Sequence, residues 1–275
     1  MSSNTDYIWK IVSCFHMKSQ NMSISYSHDK LLLSYEDTAE SNDVCHYQQK
    51  IGSINYTVIA TCPDITKCAS HLVIFMMNPG LYHFDAANHV IVYLNYTQKV
   101  GIQYSAHAVT TSNTTSDCFM TASDAALDDH PDCHSSKNYL ATLYDRSIDW
   151  RASKQKTVTI SSTESEFLAI SEAGKTLQWW RWLFKTIDLD LKHHLFIKCN
   201  NMQTIHILCK DDPSIQTKLR HVDIYQHWLR QETQSKHVLI DWIPISQMPA
   251  NGLTNILTSQ CFHNLMRLLG LTEFI

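Results

Sequence analysis

The clearest helical pattern in the chain runs from about residue 163 to residue 187. Its apolar residues recur at three- or four-residue steps, as one face of an α-helix requires. These residues are Phe167, Ile170, Ala173, Leu177, Trp180 and Phe184. Ser161 and Thr163 are N-cap candidates, each followed three residues later by a glutamate, which is the pattern of a capping box. Such a helix has to bury its apolar face against another element, so the neighbouring segments decide the fold.

Strand-like segments lie on both sides of this helix. They cover residues 118–123, 139–144 and 157–160 before it, and residues 195–199 and 238–245 after it. Two further helical patterns cover residues 222–232 and 253–269. Strands followed by helices that alternate with strands indicate an α/β domain, with a mixed sheet flanked by helices.

The part of the chain before this domain is mainly helical. Residues 44–104 carry three apolar patterns at helical spacing, with Pro63 early in the second pattern and a break at Asn78-Pro79-Gly80. Residues 105–117 are rich in Ser and Thr and indicate a linker. We therefore predict an irregular N-terminal segment over 1–43, a helical segment over 44–104, a linker over 105–117 and the α/β domain over 118–275.

Composition and charge limit the classes of function. The formal net charge is −4, with 22 basic and 26 acidic residues, so any binding of nucleic acid has to depend on a local positive patch. Nine cysteines without a C-x-x-C pair indicate a reducing intracellular compartment, cytoplasmic or nuclear. The longest apolar run, Leu72 to Met77, is too short to span a bilayer. We expect no membrane segment and no small-molecule cofactor, and the oligomeric state stays open.

Several short motifs occur in a fixed order along the chain. They are Ile51-Gly52-Ser53, Cys62-Pro63-Asp64-Ile65, Phe75-Met76-Met77-Asn78-Pro79, Ser123-Asp124-Ala125, Ile148-Asp149-Trp150-Arg151-Ala152-Ser153-Lys154-Gln155, Ser161-Ser162-Thr163-Glu164-Ser165-Glu166-Phe167 and Arg220-His221-Val222-Asp223-Ile224. Their order and spacing over about residues 44–271 resemble the C-terminal part of copia-type retrotransposon Pol polyproteins. The resemblance implies the tail of a reverse transcriptase, its thumb or connection portion, followed by a ribonuclease H domain. No Tyr-x-Asp-Asp motif is present, so no polymerase activity is expected.

The resemblance also implies a site that cuts the RNA strand of RNA/DNA hybrids. Ribonuclease H holds two Mg²⁺ ions with four carboxylates, and the ions activate water and stabilise the leaving oxygen. Carried over by motif, the first acid is Asp124 and the second is Glu166, with Glu164 as the neighbouring candidate. The third and fourth acids of the family are replaced here by Asn200 and Asn255. Metal ligation by charged groups is therefore expected from Asp124 and Glu166 alone.

Both asparagines weaken the expected site. An amide oxygen is neutral, so the ligand charge falls from about −4 to about −2 against the charge of two divalent ions. We expect weakened Mg²⁺ binding and impaired hydrolysis, as in a degenerate copy. The alternatives are a non-catalytic nucleic-acid-binding or interaction module and a non-functional remnant of a mobile element. Further departures from the family motifs are Ala126, Leu127 and Asn138, the last of which replaces a glycine.

Two other patterns have competing interpretations. His130, Asp132, Cys133 and His134 could suggest zinc, but their spacing is too tight for a tetrahedral site, and a loop with chance ligand residues is favoured. Trp179, Trp180 and Trp182 could stack on bases. Core packing is favoured for Trp180, and coverage of a hydrophobic edge for the other two.

Overall fold

The structure is a computed structural model that describes residues 4–17, 32–104, 118–130, 132–189, 195–209 and 220–274, with side chains in the last range from His227 onward. Its α-helices are α1 (Thr5–Cys14), α2 (Ser41–Ala60), α3 (Thr66–Leu72), α4 (Leu81–Tyr96), α5 (Ser162–Thr186), α6 (Met202–Cys209), α7 (Arg220–Gln234), α8 (Asn251–Thr254) and α9 (Ser259–Leu268). Its strands are β1 (Val100–Ile102), β2 (Phe119–Ala126), β3 (Ser136–Leu143), β4 (Arg146–Lys154), β5 (Leu195–Cys199), β6 (Val238–Trp242) and β7 (Leu271–Glu273). Short 3₁₀ turns cover Pro63–Ile65, Val73–Phe75 and Ile245–Gln247. The predicted linker over 105–117 lies outside the described residues, as do the side chains of the motif at 220–224.

The chain forms two compact units. The first unit contains the described residues up to Gln103 together with residues 255–274, and the second runs from Tyr104 to Thr254. In the first unit, α2, α3 and α4 bury the apolar positions that the helical patterns predicted. The fully buried side chains include Tyr47, Ile51 and Ile54 of α2, Leu72 of α3, and Ile91 and Leu94 of α4. These three predicted helices are confirmed.

The first unit differs from the predicted boundaries at both ends of the chain. Residues 5–14, predicted as irregular, form α1 with Ile8 and Ile11 buried. Residues 255–274 belong to this unit and not to the α/β unit. The physical reason is long-range pairing. β7 pairs antiparallel with β1, and Phe262 of α9 packs edge-on against Tyr93 of α4.

The second unit is built on a five-stranded mixed sheet. Its strand order is β4-β3-β2-β5-β6, with β2, β3 and β4 antiparallel and with β5 and β6 parallel to β2. Helix α5 packs Phe167, Ile170 and Leu177 against Phe119 of β2 and Ala141 of β3. This is the mixed sheet with flanking helices that the resemblance to ribonuclease H implied, so the predicted fold class is confirmed.

One predicted strand is wrong. Residues 157–160 form no strand and instead lead into α5, where the Ile160 N–H donates to Glu164 Oε2 at 2.9 Å. The third strand of the antiparallel part is β4, which starts before this segment, at Arg146. Within the described ranges, no helix is both long enough and apolar enough to cross a lipid bilayer.

Candidate functional site

Asp124 lies near the end of β2, the central strand of the second unit's sheet. Its side chain is almost fully buried, with the residue 3% exposed. Oδ1 accepts a hydrogen bond from Asn200 Nδ2 at 3.4 Å, and Oδ2 accepts one from Thr254 Oγ1. Burial raises the pKa of Asp124 because it disfavours the charged form, and these two hydrogen bonds act in the opposite direction.

Asn200 reaches Asp124 because of the register between β2 and β5. Ala122 pairs with Lys198 in this parallel ladder, so continuing it by two residues places Asn200 beside Asp124. Asn200 directly follows β5, and its backbone carbonyl accepts a hydrogen bond from Trp242 Nε1 at 3.2 Å. The carboxyl ends of two parallel strands therefore bring the first and third predicted site residues together.

Glu166 joins these residues from α5. Its side chain accepts a hydrogen bond from the backbone N–H of Ala125, the residue after Asp124. The pKa of Glu166 is raised to about 8, chiefly because the side chain is buried and also because the charge of Asp124 is nearby. Glu166 is 6% exposed.

Glu164 has a different role, because it caps the helix. Its backbone N–H donates to Ser161 Oγ at 3.2 Å, while its Oε2 accepts from the Ile160 N–H. The structure thus brings Glu166, and not Glu164, next to Asp124. These two hydrogen bonds fix the first turn of α5, and Glu166 lies two residues further along the helix.

Two buried oxygen atoms in this cluster have no hydrogen-bond partner among the described residues. They are Glu166 Oε2 and Asn200 Oδ1. An unpaired buried polar atom is costly, and carboxylate and amide oxygens are ligands for hard cations. The cluster therefore offers a divalent cation two carboxylates and one neutral amide oxygen. Within the described residues, no group of three or more His, Cys, Asp and Glu side chains could hold a metal ion.

Asn255, the fourth predicted site residue, belongs to the other compact unit. It follows α8, and its side chain is exposed. The preceding residue, Thr254, is the one whose hydroxyl donates to Asp124. Sequence reasoning missed Thr254 because a threonine next to a motif position carries no signal of its own. Three of the four predicted site residues thus lie together in one unit.

Asn138, which the sequence identifies as the replacement of a family glycine, is a second feature beside the cluster and lies within β3. It is the direct partner of Asp124 in the antiparallel β2–β3 ladder, so the two side chains lie on the same face of the sheet. Asn138 is 2% exposed, and neither its Oδ1 nor its Nδ2 has a partner among the described residues. A glycine at this position, as in the family motif, would leave no such atoms unpaired.

The two competing patterns resolve into local contacts. Asp132 forms an ion pair with Lys154, and its Oδ2 lies 3.3 Å from His134 Nδ1. Among the three tryptophans, Trp180 packs at the core and its Nε1 donates to Asp149 Oδ2 at 3.0 Å. Trp179 and Trp182 are exposed.

Comparison with known proteins gives relatives over most of the chain. The retrovirus-related Pol polyprotein from transposon TNT 1-94 of Nicotiana tabacum is 26% identical over 235 residues, which cover 82% of this chain and 16% of that polyprotein. Secreted RxLR effector protein 161 of Plasmopara viticola is 32% identical over 133 residues, which cover 48% of this chain and 89% of that protein. Homologues of this chain over 82–88% of its length are retrovirus-related Pol polyproteins from copia-type transposons. It spans about one sixth of the length of the Pol polyproteins that it matches.

Among solved structures, LC11-RNase H1 isolated from compost is similar with a TM-score of 0.37 and 11% sequence identity. The similarity covers 50% of this chain and 92% of that one. No family model matches the chain.

Proposed function

We propose that the second unit of this copia-type Pol chain is a ribonuclease H-type domain that binds RNA/DNA hybrids and has lost most of its hydrolytic capacity. The observation that supports the proposal is the meeting of Asp124, Glu166 and Asn200 at the ends of β2 and β5 and on α5. These residues are far apart in the sequence, and the family motifs carry acids at all three positions. The meeting of these three residues supports descent from a metal-dependent nuclease, and the missing charge supports its impairment.

The donor set fits one divalent cation and does not fit two. Asp124 and Glu166 supply the negative charge, and Asn200 Oδ1 supplies a neutral oxygen that has no other described partner. When bound, Mg²⁺ would stabilise negative charge on a phosphodiester and lower the pKa of a bound water. The protein's own part is to hold the oxygens in place. Thr254 and the Ala125 N–H orient the two carboxylates, and burial limits the access of water to them.

Cleavage of a labelled RNA/DNA hybrid in Mg²⁺ and in Mn²⁺ tests the proposal. We expect weak or no cleavage by the wild-type chain and recovery in the double variant Asn200→Asp with Asn255→Asp. Changing Asp124→Asn in the double variant should abolish the recovered cleavage, which excludes a contaminating nuclease. Robust cleavage by the wild-type chain would contradict the impairment. A folded double variant that binds the hybrid but does not cut it would contradict the proposed roles of these residues.

The matched comparison of Glu166→Gln with Glu164→Gln separates the site from the helix cap. In the double-aspartate background, Glu166→Gln should abolish cleavage, because it removes a proposed ligand charge. Glu164→Gln keeps an acceptor for the Ile160 N–H and should retain most of the cleavage. The reverse result would assign the second acid to Glu164.

A second candidate is a hybrid-binding module that no longer cuts. The hydrogen bond from Asn200 Nδ2 to Asp124 favours it, since an amide donor satisfies Asp124 without any cation. The two candidates differ in whether restored acids recover turnover or leave only binding. Cleavage by the double-aspartate variant, measured beside its hybrid binding at several salt concentrations, distinguishes them.

A further inference from the structure

A stripe of cations and tryptophans runs along the outward face of the C-terminal half of α5. Lys175, Trp179, Trp182 and Lys185 follow one another at steps of four, three and three residues, so they lie on one face of the helix. All four are exposed, and the stripe covers about 15 Å of helix. Arg181 is also exposed and lies one turn before Lys185.

Both tryptophan rings of this stripe are exposed, and Trp179 is also supported by a ring from the core. Trp179 is 52% exposed and Trp182 is 62% exposed. Trp179 stands edge-on against Trp180, with 5.0 Å between ring centroids, and Trp180 is held by its hydrogen bond to Asp149 and by Phe184. The core of the unit therefore supports an aromatic surface that faces solvent.

The charge along this stripe is positive. Between Ala173 and Ile187 the helix carries three cations and no acid. Lys175 shares the carboxylate of Glu172 with Lys137, and Asp188 follows the helix. Within the described part of the chain, Arg181 and Lys185 have no ion pair or hydrogen bond. Lys185, one step after Trp182 on the stripe, and Arg181, beside the stripe, therefore remain available to a ligand, although the chain as a whole has a net charge of −4.

We propose that this α5 stripe binds single-stranded nucleic acid, with bases stacked on Trp179 and Trp182 and phosphates paired with Arg181 and Lys185. Exposed indole faces match unpaired bases, because the bases of a duplex already stack on one another. Cations that flank the rings match the phosphates between successive bases and favour this ligand over an uncharged apolar partner. The stripe begins nine residues beyond Glu166 on the same helix, so it is separate from the acidic cluster formed by Asp124, Glu166 and Asn200. The inference therefore does not depend on cleavage.

Fluorescence anisotropy with the full chain under reducing conditions tests the proposal. The probes are labelled oligothymidylate, oligouridylate and a hairpin duplex of equal charge. We expect both single strands to bind more tightly than the duplex. The double variant Trp179→Ala with Trp182→Ala should weaken single-strand binding by about 5- to 150-fold for each base that no longer stacks. The control Trp9→Ala, which removes a tryptophan that is 65% exposed in the other unit, should leave the affinity unchanged.

Salt dependence provides a second readout. Arg181→Glu with Lys185→Glu should reduce the slope of log K against log salt by about 0.7 for each phosphate that is no longer paired with a cation. Lys156→Glu with Lys236→Glu, which reverses two exposed cations outside the stripe, makes the same change in net charge and should not reduce the slope as much. Equal effects of the two pairs would overturn the proposal, since binding would then respond to net charge alone.

Photocrosslinking tests the same surface without any variant. Oligothymidylate crosslinked to the wild-type chain should label the peptide that contains residues 176–187. Labels confined to other peptides would overturn the proposal. Equal or tighter binding of the duplex would overturn it as well, as would binding only to vesicles of anionic lipid, which would assign the stripe to a membrane surface. Because none of these readouts is cleavage, their failure is distinct from failure of the proposed ribonuclease H function.

Discussion

Asn200→Asp is the substitution that most directly measures the electrostatics of the acidic cluster. Asn200 Nδ2 donates to Asp124 Oδ1 at 3.4 Å, and the substitution replaces that donor with an anionic oxygen. Removing a hydrogen bond to a charged group costs about 1.5–3 kcal/mol. Full charge repulsion over the same distance adds up to about 5 kcal/mol with an effective dielectric constant of about 20. Uptake of a proton by the cluster limits the sum, so we expect a net loss of stability of about 2–4 kcal/mol when no cation is present.

Thermal unfolding followed by circular dichroism measures this loss. For a unit of this size, about 2–4 kcal/mol lowers Tm by about 4–16 °C in a chelating buffer. A cation that binds only the folded state reverses the effect, because the third carboxylate then attracts it. The rise of Tm with Mg²⁺ or Mn²⁺ should therefore be larger for Asn200→Asp than for the wild-type chain.

The neighbouring residue offers a matched control. Asn201 Oδ1 accepts a hydrogen bond from the Thr204 N–H at 3.1 Å and caps α6. Asn201→Asp adds the same charge one residue away but keeps an equally good cap, so its Tm in chelator should stay near that of the wild-type chain. If Asn200→Asp were no less stable than Asn201→Asp in chelator, and responded no more to metal, the electrostatic reasoning about the cluster would be refuted.

Three further predictions concern stability. Ser161→Ala removes the acceptor for the Glu164 N–H and should destabilise the second unit by about 0.5–2 kcal/mol in urea unfolding; no change would mean that the cap is dispensable. Asn138→Ala removes two buried polar atoms that lack described partners and should raise Tm, by an amount corresponding to about 1–3 kcal/mol; a lower Tm would show that the amide is satisfied. His83 Nδ1 accepts a hydrogen bond from the Gly80 N–H at 2.7 Å, and burial lowers the pKa of His83. Because the unfolded chain then binds the proton more tightly, the first unit should lose stability as the pH falls below 6.5. Unfolding curves measured over pH should show a smaller loss for His83→Gln.

The elements that sequence patterns predicted are those that bury a continuous apolar face. Helix α5 and the helices α2 to α4 have such faces, and the structure places them as predicted. Strand β4 was missed because it is an edge strand with charged and partly exposed residues, so it shows little apolar alternation. Strands β1 and β7 have three residues each, and such short strands carry no period at all.

Of the candidate site, only the residues that lie within recognised motifs could be predicted from the sequence. The motif identified Asp124 and Asn200, and the hydrogen bonds of Glu164 at the helix start separate it from Glu166 once that start is known. The contact between Thr254 and Asp124 joins residues 130 positions apart and has no local signal. The side chain of Asn138 lies beside Asp124 through the register of β2 and β3, which the sequence does not reveal. Sequence motifs identify the site residues, but which residues lie side by side on neighbouring strands depends on how the strands pair in the fold.

Replacing an acid of the cluster with asparagine has opposite effects on the stability of the metal-free fold and on metal binding. A cluster of carboxylates is unfavourable for folding without its cations, because buried like charges repel one another. An amide at position 200 replaces that repulsion with a hydrogen bond to Asp124 while keeping the same shape. A chain that no longer needs hydrolysis therefore gains stability by this substitution, whereas a chain that needs two metal ions has to keep the unfavourable charge. On this reasoning, Asn200 weakens metal binding and raises the stability of the metal-free fold at the same time, and the Tm of Asn200→Asp in chelator and in metal tests both effects in one protein.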